Sequence, residues 1–223
     1  MDKLLDKIFF RSRNLDYIIQ NIKKITQETS AHKVFEAINN FNETSEVRYV
    51  GGCIRKIIKK EEVDDIDLAT NLIPTEVCDA LKKNNINFYE TGIDHGTITA
   101  IIGDQKYEIT TLRKDVSTDG RHAKVEFSLD WKDDSNRRDF SINAIYSDKD
   151  GNLFDPHYGK KDIESGTVKF IGNPEERIQE DYLRILRYLR FFLNYSNSKH
   201  ELEIFRTIKR NIGGISKLSS ERL

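Results

Sequence analysis

The stretch Val50-Gly51-Gly52-Cys53-Ile54-Arg55, followed by Asp64-Asp65-Ile66-Asp67-Leu68-Ala69-Thr70, constrains this chain more than any other. Tyr49-Val50 predicts the end of a short strand. Gly51-Gly52 predicts a tight turn without side chains in the way, and residues 54–60 have helical character. A strand, a glycine turn and a helix N-terminus seat a phosphate, because free backbone N–H groups and the positive dipole end face the anion. Arg55, one turn in, adds a charged donor. Asp65 and Asp67 are two apart, and on a strand such residues share a face, so their carboxylates converge. Paired carboxylates suit Mg²⁺, which takes its remaining ligands from water and substrate phosphates. Alone, the glycine pair is a turn and the aspartate pair a solvated loop; together they point to nucleotide chemistry. A dinucleotide-binding fold is excluded, since no third glycine completes G-x-G-x-x-G and the carboxylates come too early.

Composition narrows the partners. Charged residues are 33% of 223, yet the net charge is only −1, so any nucleic acid must meet a local basic patch. Cys53 and Cys78 are the only cysteines, which gives no disulfide framework and suits a reducing compartment. No apolar run approaches membrane-spanning length, so no membrane partner is expected. Asp2 and Asp6 sit in a mixed-charge N-terminus unlike a signal or transit peptide. The expected location is the cytoplasm.

Periodicity gives the elements. Leu4, Leu5, Ile8 and Phe9, then Leu15, Ile18, Ile19, Ile22 and Ile25, form two helical stripes, and Val34, Phe35 and Ile38 begin another helix. Strands are predicted at 47–50, 65–69, 88–90, 97–102 and 106–112, with Gly103-Asp104 turning a hairpin between the last two. Pro74 opens a helix whose apolar side is Val77, Ala80 and Leu81. Residues 117–121, polar and glycine-containing, are expected to be a mobile loop. Residues 137–146 are expected as a helix or strand edge, 148–152 as a turn, 154–156 and 161–165 as connections, and 168–171 as a short strand. A long helix is expected from Asn173-Pro174 onward, with Tyr182, Leu186, Leu189 and Leu193 toward the core and Glu180, Arg184, Arg187 and Arg190 opposite.

Three further constellations carry chemistry. Glu108, in Tyr107-Glu108-Ile109-Thr110-Thr111, is either a rim residue or a third carboxylate from a neighbouring strand, as two-metal phosphoryl transfer requires. Arg137-Arg138-Asp139, with Asn143 four residues after Asp139, is either a surface salt-bridge cluster or a seat for triphosphate and ribose. In Glu180-Asp181-Tyr182-Leu183-Arg184 the bland reading is an i,i+4 Glu180–Arg184 pair on a solvated face. The functional reading sets the acceptor Asp181 beside the donor Arg184. That pair matches cytosine and adenine, which show an amino donor next to a ring-nitrogen acceptor, and opposes uracil and guanine. Arg187 and Arg190 would then support the pair or bind phosphate. None of His32, His95, His122, His157 and His200 has zinc spacing with another His or Cys.

In this order, the segments resemble the class II tRNA nucleotidyltransferase (CCA-adding enzyme) and bacterial poly(A) polymerase family, from Val47 to Leu223. Gly-Gly-x-x-Arg with Asp-x-Asp-x-Ala-Thr looks like the family's catalytic motif, and Glu108 like its third carboxylate. Asp119-Gly120-Arg121-His122-Ala123 resembles the loop that helps the switch from C to A. Arg137-Arg138-Asp139 is similar to the ribose-recognising motif, and Glu180-Asp181-Tyr182-Leu183-Arg184 to the template that reads the base. After the N-terminal helices read from periodicity over 1–45, the resemblance implies an α+β fold with a small mixed-sheet nucleotidyltransferase head over 46–171 and an incomplete helical neck over 172–223. It implies addition of C, C and A to tRNA 3′ ends from CTP and ATP. Asp65 and Asp67 would hold two Mg²⁺ with Glu108 assisting, and Gly51, Gly52 and Arg55 would hold the triphosphate. Arg138, Asp139 and Asn143 would place ribose and phosphates, and Asp181 and Arg184 would read the base. The alternatives are poly(A) or partial CCA addition, and a non-catalytic nucleotide- or RNA-binding remnant. Two departures stand out. Where the family usually has Asp after the motif's Arg, this chain has Lys56. The chain also stops at Ser219-Ser220-Glu221-Arg222-Leu223, within what resembles the next neck motif, so a fragment, or a split enzyme with body and tail on a separate chain, is expected.

Overall fold

The computed structural model describes residues 2–118, 123–197 and 199–222. The chain begins with α1 (Asp2–Glu28) and α2 (Ala31–Asn39), then β1 (Val47–Val50), α3 (Gly52–Lys59), β2 (Asp67–Thr70) and α4 (Pro74–Lys83). It continues through β3 (Asn87–Gly92), β4 (Thr97–Ile102), β5 (Gln105–Thr111), β6 (Arg113–Thr118), β7 (Ala123–Phe127) and α5 (Trp131–Arg137). Then come β8 (Tyr146–Ser147), β9 (Leu153–Phe154), α6 (Gly159–Ser165), α7 (Pro174–Glu180), α8 (Leu183–Tyr195) and α9 (Leu202–Asn211). Two compact units are present: Met1–Thr111 with Tyr146–Phe154, and Leu112–Ile145 with Asp155–Leu223.

The first unit is built on a seven-stranded sheet of order β3-β4-β5-β2-β1-β8-β9 among the described residues. Only β2 and β5 run parallel; the other neighbours are antiparallel, so the sheet is mixed as expected. Strand alternation sorts its faces. Ile98, Ile109, Leu68 and Tyr49 lie in one row across four strands, and all are buried. Fully burying each aliphatic side chain of that row stabilises the fold by about 1.5–3 kcal/mol. Helices cover this row: Phe35 of α2 sits 4.8 Å from the Tyr49 ring, and Thr26 of α1 is 2.8 Å from the Tyr49 hydroxyl. Shifted by one residue, Thr99, Glu108 and Asp67 form a row on the opposite face.

In the second unit, β6 and β7 form an antiparallel hairpin, followed by helices. Its core is aromatic. Phe140 lies 4.8 Å from Phe170 and 5.5 Å from Phe191, and Phe170 stacks on Tyr188 at 5.6 Å.

Several expectations are corrected. The two N-terminal stripes belong to one continuous helix, α1. Strand β2 starts at Asp67, so Asp65 precedes it and the same-face argument does not place Asp65. Residues 137–146 are neither helix nor strand edge: Arg138 caps α5, Phe140 makes an isolated bridge to Phe170, and Ser141–Asn143 is a 3-10 turn. The bridge is all that remains of the strand expected at 168–171. The connections at 154–156 and 161–165 hold β9 and α6. Residues 117–118 end strand β6, and 119–122 lie outside the described residues.

The long helix is broken. Asp181 is extended (φ −155°, ψ 107°), which separates α7 from α8. A different face of α8 therefore turns inward: Arg184, Ile185, Tyr188, Phe191 and Tyr195 are buried, while Leu193 is 82% exposed. The aromatic cluster selects that face, since rings bury more area than leucine and pack edge to face.

Candidate functional site

The candidate residues form one cluster in each unit. In the first, the β1–α3 turn depends on Gly51, whose φ of 70° and ψ of −114° strongly disfavour any side chain. Its carbonyl accepts the first α3 hydrogen bond, from the Arg55 N–H at 3.0 Å. Gly52 is different. A Cβ added there would make only ordinary contacts, 3.9 Å from the Asp67 Oδ2 and 4.0 Å from the Arg55 Nη2. The fold tolerates a side chain at 52, but its place is the space at the helix N-terminus between a carboxylate and a guanidinium. Cys53 ties this turn to β2, with Sγ 3.4 Å from the Val50 carbonyl and 3.9 Å from that of Asp67. Burial, with the Asp67 charge adding to it, pushes the Cys53 thiol up to about 12, so it is a packing group and not a nucleophile.

Asp67 pairs in parallel register with Glu108, and β4 places Thr99 opposite Glu108. The two carboxylates therefore rise from neighbouring strands on one face, with Glu108 exposed and Asp67 half-buried. Asp65 lies in the connection between α3 and β2, exposed, and its N–H donates to the Asp64 Oδ1 at 2.9 Å. Among the described residues no three His, Cys, Asp or Glu side chains converge into a metal cage. Two hard carboxylates on one face still fit Mg²⁺, which binds through one or two carboxylates plus water and substrate phosphates. Lys56, the departure from the family pattern, forms an ion pair with Asp64.

In the second unit, Asp139 is 8% exposed and fully engaged. Its Oδ1 accepts from the Phe140 N–H and the Asn143 Nδ2, both at 2.9 Å, and its Oδ2 accepts from the Arg187 Nε at 2.7 Å. Arg138 donates to the Asn143 carbonyl at 3.2 Å and pairs with Asp134 at 3.1 Å. Asp134 is 1% exposed and also holds Arg137. Sequence reasoning missed Asp134 as the anchor of both arginines, although its i,i+3 and i,i+4 spacing to them is a readable signal.

Asp181 and Arg184 are adjacent, the Arg184 N–H donating to the Asp181 carbonyl at 3.0 Å, but their side chains hold other partners across the helix break. The Asp181 Oδ1 accepts from the Leu183 N–H, the first of α8, at 3.1 Å, and its Oδ2 accepts from Arg222 at 2.8 Å. Arg184 is buried; it donates to the Arg177 carbonyl at 2.7 Å and pairs with Glu180. The i,i+4 Glu180–Arg184 pair thus exists, with the arginine buried and the glutamate half-buried rather than both solvated. Arg177 also donates to the Arg138 carbonyl at 2.9 Å, another tie that spacing did not show. Arg190 is exposed, 5.2 Å from the Phe191 ring centre.

A mixed sheet with a glycine turn at a helix N-terminus and carboxylates on adjoining strands is the head architecture of a nucleotidyltransferase. The chain belongs to the poly A polymerase head domain family, whose model matches residues 47–169. It is 42% identical over 184 residues to the human "CCA tRNA nucleotidyltransferase 1, mitochondrial", covering 81% of this chain and 42% of that protein. It is 35% identical over 205 residues to the CCA-adding enzyme of Lactobacillus delbrueckii subsp. bulgaricus, covering 91% of this chain and 50% of the relative. Among solved structures, the Bacillus stearothermophilus CCA-adding enzyme in complex with CTP superposes with a TM-score of 0.76 at 27% identity, over 88% of this chain and 46% of that one. A tRNA nucleotidyltransferase complexed with a primer tRNA and an incoming ATP analog gives 0.65 at 26% identity, over 91% and 53%. The expected family and the expected α+β mixed-sheet class are both confirmed. The chain spans about half the length of the curated relatives it matches. Among the described residues, no helix is long and apolar enough to cross a membrane.

Proposed function

We propose that this chain carries the catalytic part of a template-independent tRNA nucleotidyltransferase that adds C, C and A to tRNA 3′ ends from CTP and ATP. The observation that carries the reading is Asp67 in register with Glu108 on one sheet face, its carboxylate against Gly52 and Arg55 at the α3 N-terminus. Triphosphate oxygens would sit on the α3 N-terminal N–H groups and on Arg55. Asp65 and Asp67, with Glu108 assisting, would hold Mg²⁺, which would supply positive charge to offset the negative charge that builds on the transferring phosphate. The primer 3′-hydroxyl attacks the α-phosphorus and pyrophosphate leaves. Arg138, Asp139 and Asn143 would place ribose and phosphates, with Arg187 orienting Asp139. Asp181 and Arg184 would read the base after exchanging their present partners, Arg222 and Glu180, for base edges.

The division into N-terminal helices over 1–45, a head over 46–171 and a helical neck from 172 is part of the same reading. So is a cytoplasmic location, consistent with Cys53 and Cys78 as free thiols. The test incubates the chain with tRNA lacking CCA, with Mg²⁺, CTP and ATP, and sequences the products. Ordered C, C, A addition is expected. Repeated A addition would replace the reading with poly(A) synthesis, and absence of both nucleotide binding and turnover would overturn it.

A further inference from the structure

Lys56 ties both ends of one short segment to α3, and that segment delivers Asp65. Helix α3 ends with Lys60 in the left-handed conformation (φ 62°), and the Glu61 N–H turns back to the Lys56 carbonyl at 2.9 Å. This closes the backbone end. Four residues after Lys60, the Lys56 ammonium pairs with the Asp64 carboxylate. The same Asp64 Oδ1 accepts the Asp65 N–H at 2.9 Å. Residues 61–66 hold no regular secondary structure, so no ladder of hydrogen bonds fixes them before β2 begins at Asp67. Asp65 precedes the strand, and this chain of contacts orients it. Lys56 is 25% exposed in its side chain, whereas Asp64 is 68% exposed, so the ordered partner is the lysine on the helix.

We propose that Lys56 and Asp64 form a positioning latch that sets the Asp65 carboxylate for the divalent cation of the nucleotidyl-transfer site; this rests on the function proposed above. Neither residue is a catalytic residue: the latch acts through the Asp65 backbone. A lysine at 56 then belongs to the machinery of this chain because its partner is the residue just before the first aspartate of the motif. The pair is largely exposed, so its effect is modest and salt-dependent.

The test uses Lys56→Glu, Lys56→Arg and Asp64→Asn in the full chain, with two readouts. The first is hydrogen exchange of the 62–66 backbone without any ligand. The second is calorimetric titration with Mn²⁺ in the presence of CTP. Lys56→Glu should exchange faster over 62–66 and raise the apparent Mn²⁺ Kd by about two- to fivefold at low salt, the range of an exposed ion pair. Lys56→Arg keeps a cation and should restore both values. Asp64→Asn keeps the Oδ1 acceptor for the Asp65 N–H but loses the charge, so it should fall between wild type and Lys56→Glu. Unchanged exchange and unchanged Mn²⁺ affinity in Lys56→Glu, in a wild type that binds both ligands, would overturn the latch alone. A wild type that binds neither Mn²⁺ nor CTP would overturn the proposed function and the latch with it.

Discussion

At the scale of single residues, the two glycines of the turn play different parts, although the sequence shows them as a pair. Gly51 is required by its backbone, since φ of 70° is costly for any residue with a Cβ. Gly51→Ala should lower stability by about 1–2 kcal/mol, read as a shift in the urea midpoint. Gly52 is helical, and its added Cβ would meet nothing closer than 3.9 Å. Gly52→Ala should hold or raise stability by about 0.5–1 kcal/mol, because alanine is the better helix residue. It should nevertheless weaken CTP binding about tenfold, as a methyl group in an occupied site costs about 1–3 kcal/mol. A Gly52→Ala chain that binds CTP like wild type would mean that no ligand approaches this turn. Asp67 shares its row with Glu108 but alone lies beside Gly52 at the α3 N-terminus, so Asp67→Ala should reduce nucleotide incorporation by about 100-fold or more with an unchanged circular dichroism spectrum. A loss of only a few fold would remove it from the metal-binding set.

At the scale of elements, the ends of helices decide more than their middles. Helix α3 ends on Lys60 in a conformation that suits glycine, so Lys60→Gly should stabilise the chain by about 0.5–1 kcal/mol in a thermal melt. No change there would mean that the Lys60 side chain, 4.9 Å from the Tyr17 ring centre, repays the strain. The break between α7 and α8 matters for base choice. Asp181 accepts the first N–H of α8, from Leu183, and Arg184 is bound to Glu180 and to the Arg177 carbonyl. Arg184→Ala removes a donor from these acceptors and should lower stability by about 1–3 kcal/mol. If Arg184 also faces the ring nitrogen of cytosine or adenine, kcat/KM for UTP and GTP should rise relative to CTP and ATP in a four-nucleotide assay. Equal ratios in mutant and wild type would leave Arg184 as a purely structural arginine of the α7–α8 junction.

For the molecule as a whole, stability should depend on pH through two partly buried groups of the second unit. Burial holds the His157 imidazole below its ordinary 6.5, opposed by Asp155 and helped by Lys132, while its Nε2 lies 3.1 Å from the Ser135 Oγ. As pH falls through 6.5, the unfolded chain takes up a proton that the folded chain resists, so stability falls. Burial raises the Asp155 carboxyl above 3.8, against the Gly159 and Lys160 N–H groups that it accepts. Between that raised value and 3.8 the folded chain is the better proton acceptor, so this group returns stability as pH falls further. Urea midpoints from pH 7.5 to 5 should therefore decline in wild type and flatten in His157→Gln; equal slopes would show that His157 titrates as if exposed. The sequence by itself determined what depends on local spacing. The strand–glycine turn–helix unit, the Gly103-Asp104 hairpin, the helix opened by Pro74 and the family were all readable, because turn chemistry and alternation act over a few residues. Tertiary structure decided the rest. Asp67 meets Glu108 only because β2 and β5 pair in parallel across forty residues of chain, and Asp65 falls outside the strand because pairing stops at Asp67. The face of α8 that turns inward was set by Phe140 and Phe170, distant in sequence, whose rings gain more from packing on Tyr188 and Phe191 than the leucine stripe could offer. Periodicity tells how many faces a helix has; which of them is buried depends on what else in the chain arrives to cover it.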